Sequence, residues 1–314
     1  MGLFEDKITV LMPVYNSENT VGASIKSVLN QSYKNFNFII VNDGSTDGSD
    51  SIIRSFTDDR IKYYVCEHEG RSTASNFGIS KAETEYVARI DSDDLFFKDK
   101  LEKQVNYLKN NKSIDILFTW SIFYNKNMRL RYWKSPETDI EIKQRLMYLN
   151  PINHSSVVFR KKISEEVMSY NENMDVNEDY ELWLRLSRKA VFHCIPEFLV
   201  FSELRTEDRN KQYFNGELKK LLVQNLINSG VEDTKELNGL LGKIEYYYGD
   251  IREARNHFSR CYIMKNFKHI LLAHLPGSIQ RKYRGYKYSM LFSTDTLRAG
   301  KFKRILKDLI NQNV

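Results

Sequence analysis

Over its first two hundred residues the chain alternates between two hydrophobic periods, and this alternation narrows the possible folds more than anything else in the sequence. Five short apolar runs read as buried strands: ITVLMPVY (8–15), NFIIVND (37–43), IKYYVC (61–66), YVARID (86–91) and IDILFTW (114–120). Between them, Val21, Ile25, Val28 and Leu29 recur at helical spacing, as do Leu101, Val105 and Leu108. Such alternation predicts an α/β fold with a mostly parallel central sheet and helices on both faces. Sheets of this kind bind ligands beyond the carboxyl ends of their strands. The polar strings PVYNSE, NDGSTDGS and DSDD follow the first, second and fourth runs, so they fall at those ends.

Near Ser202 the pattern changes. FSELRTEDRNKQ reads as a polar joint, and helical patterns follow it: Leu218, Leu221 and Leu222; Leu237, Leu240, Leu241 and Ile244; Gly249, Ala254, Phe258 and Cys261. The last two resemble a single tetratricopeptide-like hairpin, and one such unit cannot bury its own face. The expected organisation is an α/β domain over residues 1–205 and a helical region over 206–314 packed on it as an appendage.

The net charge of +6 is unevenly spread. From Ile251 onward about fourteen Lys and Arg face only Glu253, Asp295 and Asp308, which points to an anionic partner for the tail. In TLRAGKFKRILKDLI, Phe302, Ile305, Leu306 and Leu309 share one helical face, with Lys301, Lys303, Arg304 and Lys307 crowding the other side. A helix of this composition lies on an anionic bilayer or packs with an ordinary solvated face. QRKYRGYKY just before it is also basic and aromatic, but no recognition motif supports nucleic acid as a partner. No apolar run reaches the roughly 18 residues of a membrane span. MGLFEDK leads into a strand without a basic-then-apolar signal. Cys66, Cys194 and Cys261 form no metal or redox motif. The expected location is cytoplasmic, with the tail on the inner face of the cytoplasmic membrane.

In ARIDSDD (88–94), a strand-like run ends in Asp91, Asp93 and Asp94. Strand alternation would project Asp91 and Asp93 to one side, where like charges repel unless a cation lies between them. Mg2+ or Mn2+ is the expected cation, since hard divalent ions take oxygen ligands and Mg2+ is commonly held by one or two carboxylates plus substrate phosphates. The plainer alternative is a cluster that starts the helix of LFFKDKLEKQ, because Asp is favoured at caps. Leu95 and Phe96 exclude an EF-hand loop. Neither a G-x-x-x-x-G-K-[ST] loop nor a G-x-G-x-x-G turn is present, so P-loop and dinucleotide folds are unsupported.

Taken together, ITVLMPVYNSENTVGASIKSVLNQSYKNFNFIIVNDGSTDGS, NFG (76–78), ARIDSDD and NEDYELWLRL resemble, in order and spacing, family 2 glycosyltransferases. The resemblance spans roughly residues 7–200. It implies a GT-A fold, a nucleotide-diphosphate sugar as donor, commonly a UDP-sugar, and inversion at the anomeric carbon. By that resemblance the 1–205 domain binds the nucleotide sugar and carries catalysis. Pro13, Val14, Tyr15 and Glu18 match the loop that holds the nucleoside. Asp43 matches the carboxylate that accepts a hydrogen bond from the pyrimidine. Asp91, Ser92 and Asp93 match the Asp-x-Asp, with Asp93 toward the metal and Asp91 toward the ribose or sugar.

Asp179, in NED, matches the general base. Read from the residues alone, Asp179 or Glu178 caps the helix carrying Leu182, Trp183 and Leu186, and a helix N-terminus would lower the pKa of Asp179. The family often has Arg just before the Asn of RNxG; here that position is Ser75, and Arg71 is the candidate to supply the charge to a phosphate. His154 is a candidate ligand of the metal or diphosphate, or else a hydrogen-bonded structural residue. Trp120 and Trp133 are candidates to stack on a sugar.

The expected activity is transfer of one hexosyl or N-acetylhexosaminyl group per encounter to a glycan or lipid-linked acceptor, in bacterial surface-polysaccharide or glycolipid assembly. The Q-x-x-R-W motif of processive members is absent. The alternatives are an inactive sugar-nucleotide-binding or scaffolding subunit, which the presence of all four aspartates disfavours, and phosphotransfer on Asp91 and Asp93, which Leu95 disfavours.

Overall fold

The computed structural model describes residues 7–124, 130–167, 169–174, 176–203, 216–248, 250–274 and 292–293. Strand β1 (Ile8–Val14) is buried at every position, as is β2 (Phe36–Asp43), with which it pairs in parallel. Continuous apolar runs of this kind suit strands covered on both faces. Helices α1 (Val21–Leu29) and α2 (Ser49–Arg54) follow these two strands. Then come β3 (Ile61–Cys66), α3 (Arg71–Lys81) and β4 (Tyr86–Arg89). The order β3-β2-β1-β4 is parallel throughout. Pro13 sits in β1 without a lost bond: Leu11 offers its carbonyl to Ile90 toward β4, and the β4 pairing stops at Leu11, so the missing N–H of Pro13 falls beyond it.

Beyond β4 the sheet becomes mixed. The remaining elements of this half are β5 (Leu95–Phe96), α4 (Lys100–Asn110), β6 (Ile116–Tyr124), β7 (Leu130–Trp133), α5 (Asp139–Leu146), β8 (Val158–Arg160), α6 (Lys161–Glu165), α7 (Glu178–Leu186) and β9 (Phe192–Glu203). β8 is antiparallel to both β4 and β6, β7 is antiparallel to β6, and β9 runs parallel to β6 while pairing antiparallel with β5. The parallel character expected from the sequence thus holds for the β1–β4 half, and the other half is a hairpin-rich extension. Helix α3 lies tight against β1 through Gly78, where a Cβ would stand 2.2 Å from Leu11 Cδ1.

After β9 come helices α8 (Gly216–Asn228), α9 (Thr234–Tyr248), α10 (Ile251–Phe258) and α11 (Ile263–His274). Leu218, Leu222 and Leu226 share one apolar cluster with Trp183 and Leu186 of α7, so the helical region is seated on the sheet domain by a continuous core. In the α9–α10 hairpin Ala254 and Phe258 point inward as their spacing implies. A short strand β10 (Phe292–Ser293) pairs antiparallel with β7. Most of the joint at 201–212 and nearly all of the basic tail lie outside the described residues. Among the described residues no helix is long and apolar enough to cross a membrane.

Candidate active site

The carboxyl ends of β1, β2 and β4 meet at one edge. Asp43 closes β2 and is buried. Its Oδ1 accepts from the Glu69 amide at 3.0 Å, and its Oδ2 accepts from the Gly70 amide at 3.2 Å and from His68 Nδ1 at 2.9 Å. A carboxylate offers about four acceptor positions, so three are taken within the chain. Gly44 makes this packing possible: its φ is +63°, and a Cβ there would stand 2.8 Å from the His68 amide nitrogen. The His68 ring stacks on Tyr15, with centroids 3.8 Å apart and planes at 7°. Tyr15 is exposed. Pro13 and Val14 are buried in β1. Glu18 bridges the two loops, its Oε2 accepting from the Gly48 amide at 2.8 Å.

The three aspartates after β4 are gathered by a turn, not by strand alternation. β4 ends at Arg89, and the Asp94 amide donates to the Asp91 carbonyl at 3.1 Å. Nor do they start a helix, since β5 intervenes and α4 begins at Lys100 with Asp99 before it. Ser92 is buried, its Oγ 2.7 Å from Ser17 Oγ and its carbonyl accepting from Ser24. Asp94 is buried, and its proton affinity lies well above that of an ordinary carboxylate, through burial first and then the charges of Asp93 and Asp91. The cation beside Asp91 belongs to the chain itself: Arg89, fully buried, places Nη2 2.9 Å from Asp91 Oδ1. Arg89 was not among the residues expected at the site, although a lone arginine inside the apolar run YVARI was a visible signal.

Asp179 lies in the first turn of α7, whose preceding residue Asn177 has φ +61°. Its Oδ2 accepts from Asn150 Nδ2 at 3.0 Å and its Oδ1 from the Tyr180 amide at 2.7 Å. The expected lowering by the helix end is overridden. Burial, reinforced by the neighbouring Glu178 and by Asp91, raises the carboxyl to about 7. Glu178 is buried and its Oε1 meets Arg71 Nη1 at 3.2 Å. Because Arg71 directly follows the Glu69–Gly70 amides that hold Asp43, this ion pair joins the Asp43 loop to the Asp179 helix. Asn76 of NFG pins the approach to α7, giving Nδ2 to the Tyr170 carbonyl and accepting from the Tyr170 amide, both at 2.9 Å.

His154 is placed behind this edge, in the wall. It is buried, its Nε2 lies 2.7 Å from the Tyr170 hydroxyl, and its ring meets Trp183 edge-on. Burial and the Arg89 charge push it down to about 3, so it stays neutral. Its Nε2 faces the Tyr170 hydroxyl, and among the described residues no three His, Cys, Asp or Glu side chains are arranged to hold a metal ion. What Asp91 and Asp93 offer is an oxygen-only, carboxylate-rich corner with Arg89 as an internal counter-charge. That donor chemistry fits a hard divalent cation that draws its other ligands from a diphosphate. Trp133 is buried, with its indole N–H on the Pro151 carbonyl and Ser135, so it is core and not a sugar platform. Trp120 is partly exposed beside Phe198 and Lys134.

A half-parallel sheet with acidic turns collected at its carboxyl edge, backed by a second acidic helix start, is the layout of the GT-A glycosyltransferase class. The chain belongs to glycosyl transferase family 2: the family model matches residues 9–168, which include Asp43 and Asp91–Asp94 and stop short of Asp179. An uncharacterized glycosyltransferase of Rickettsia conorii is 31% identical over 223 residues, covering 68% of this chain and 37% of that protein. The chain spans about a third of the length of this and two other Rickettsia relatives, 31% to 37% of each. Among solved structures, S. aureus TarS 1–349 in complex with UDP aligns with a TM-score of 0.60 at 17% identity, over 91% of this chain and 90% of TarS 1–349. The mannosyltransferase PcManGT of Pyrobaculum calidifontis, in complex with GDP-Man and Mn2+, aligns with a TM-score of 0.56 at 13% identity, over 98% of this chain and 85% of PcManGT. These likenesses establish the GT-A fold.

Proposed function

We propose that the chain transfers a single sugar from a nucleotide-diphosphate donor, a UDP-sugar, to an acceptor hydroxyl with inversion, Asp179 acting as general base. The observation that carries this reading is the Asp179 carboxyl. It is raised to about 7, aligned by Asn150, and close enough to Asp91 to feel its charge. A base poised near neutrality takes a proton most effectively at that pH. Asp179 draws the proton from the acceptor oxygen as that oxygen bonds to the anomeric carbon. The bond from that carbon to the diphosphate oxygen breaks on the opposite side, and the nucleotide leaves with the electron pair.

The remaining roles divide along the edge. Tyr15 and Asp43, with the Glu18-braced loop and the β1 end at Pro13 and Val14, hold the nucleoside. Asp91 and Ser92 face the ribose, and Arg71 reaches the diphosphate. Asp93 holds Mn2+ or Mg2+, which when bound offsets charge on the leaving diphosphate as a Lewis acid. The complex of UDP with TarS and that of GDP-Man and Mn2+ with PcManGT support donors and a cofactor of these classes.

The biological setting that suits the chain is surface-glycan or glycolipid assembly at the cytoplasmic membrane face, with the 281–314 tail holding the anionic surface and the acceptor lipid-linked. Deleting residues 281–314 is expected to abolish binding to anionic liposomes; unchanged binding would remove that part. The donor reading is tested by titrating UDP and a panel of nucleotide sugars into the chain with Mn2+. Saturable UDP binding with turnover of one donor supports it. Binding without turnover would favour a sugar-nucleotide-binding subunit.

A further inference from the structure

We propose that Arg89 is a positioning residue that holds Asp91 as a charge-compensated acceptor for the ribose hydroxyls, so that Asp91 contributes to nucleotide binding even without a metal ion. This rests on the reading of Asp91 as a donor-binding carboxylate. Arg89 is 1% exposed, in the strand just before the acidic turn. Burying a guanidinium is costly unless it is paired, and Arg89 has few partners to justify the cost. Nη2 meets Asp91 Oδ1 at 2.9 Å, Nη1 donates to the Ile90 carbonyl, and Nε is buried with no hydrogen-bond partner. Its charge is therefore directed at one carboxylate.

Asp91 is fixed from both ends. Its amide donates to Ser155 Oγ at 2.9 Å, one carboxylate oxygen is held by Arg89, and a third of the side chain remains exposed at the cleft edge. A carboxylate whose counter-charge is internal and immobile keeps its orientation whether or not a cation is present.

The test is a double-mutant cycle read as UDP affinity in EDTA, using titration calorimetry on the full chain. Asp91→Asn and Arg89→Met are each expected to weaken UDP about tenfold, the loss of one charge-assisted hydrogen bond. The double variant, which leaves no unpaired buried charge, is expected to weaken it about tenfold as well, because both changes remove one interaction. Arg89→Lys, which keeps the charge beside Asp91, is expected to stay within about threefold of the parent and remains informative if Arg89→Met does not fold. A double variant about a hundredfold weaker, an Arg89→Met chain that binds UDP normally while Asp91→Asn does not, or an Arg89→Lys chain as weak as Asp91→Asn would overturn the inference. A parent chain that does not bind UDP would overturn the donor reading as well.

Discussion

Arg71 and Glu178, 107 residues apart in the chain, form an ion pair 3.2 Å long in which the carboxylate is buried and the guanidinium is half exposed. The pair fastens the loop that holds Asp43 to the first turn of the helix that carries Asp179. It also sets a second negative charge beside the proposed base. Glu178 is the leading electrostatic cause, after burial, of the raised Asp179 proton affinity.

The pH dependence follows from that neighbour. Activity measured as kcat/KM is expected to fall about tenfold per pH unit below about 7, where Asp179 is protonated. Glu178→Gln removes a like charge, lowers the Asp179 pKa, and is expected to move this limb about one pH unit toward acid. A limb that stays in place in Glu178→Gln would show that another group titrates.

The same shift bears on stability. Asp179 is raised from 3.8 in the unfolded chain to about 7, so its contribution is present below pH 4 and is lost as pH rises through 7. Asp179→Asn removes that loss. It is expected to stabilise the chain by about 2–4 kcal/mol at pH 8 and to leave stability little changed at pH 3.5, as urea unfolding would measure.

Metal dependence separates the two carboxylates of the acidic turn. Asp93→Asn is expected to abolish the gain in UDP affinity produced by Mn2+ while leaving affinity in EDTA within about threefold of the parent. The check is paired calorimetric titrations with and without the ion. Equal losses in both media would mean that Asp93 contacts the nucleotide directly.

Gly78→Ala tests how the sheet and α3 fit. The added Cβ would stand 2.2 Å from Leu11 Cδ1, and Leu11 is fully buried. Overpacking of this kind costs about 1–3 kcal/mol, and a loss in that range is expected from denaturant unfolding.

Much of this was legible in the amino-acid order. β1 and β2 are apolar enough to be read as buried strands, and the polar strings after them mark the binding edge. The turn at 91–94 was not legible as a turn, because ARIDSDD continues the strand pattern until the Asp91 carbonyl bonds back to Asp94. Arg89 was visible but lacked a partner, since local order does not show that a charge inside a buried strand reaches the residue two places on. The perturbation of Asp179 ran opposite to expectation for a related reason. A helix start is a local feature, whereas the burial that raises this carboxyl comes from packing in the folded chain and outweighs the lowering by the Tyr180 amide and Asn150. His154 read as ligand or support, and the Tyr170 hydroxyl beside its Nε2 could not be seen in local order.

The central claim is tested most directly by comparing donor turnover in the parent chain and in Asp179→Asn, with UDP affinity measured on both. Asp179→Asn is expected to bind UDP as the parent does and to lose about 10²–10⁴-fold in turnover of the productive nucleotide sugar. Turnover that survives in Asp179→Asn at the parental rate would contradict it.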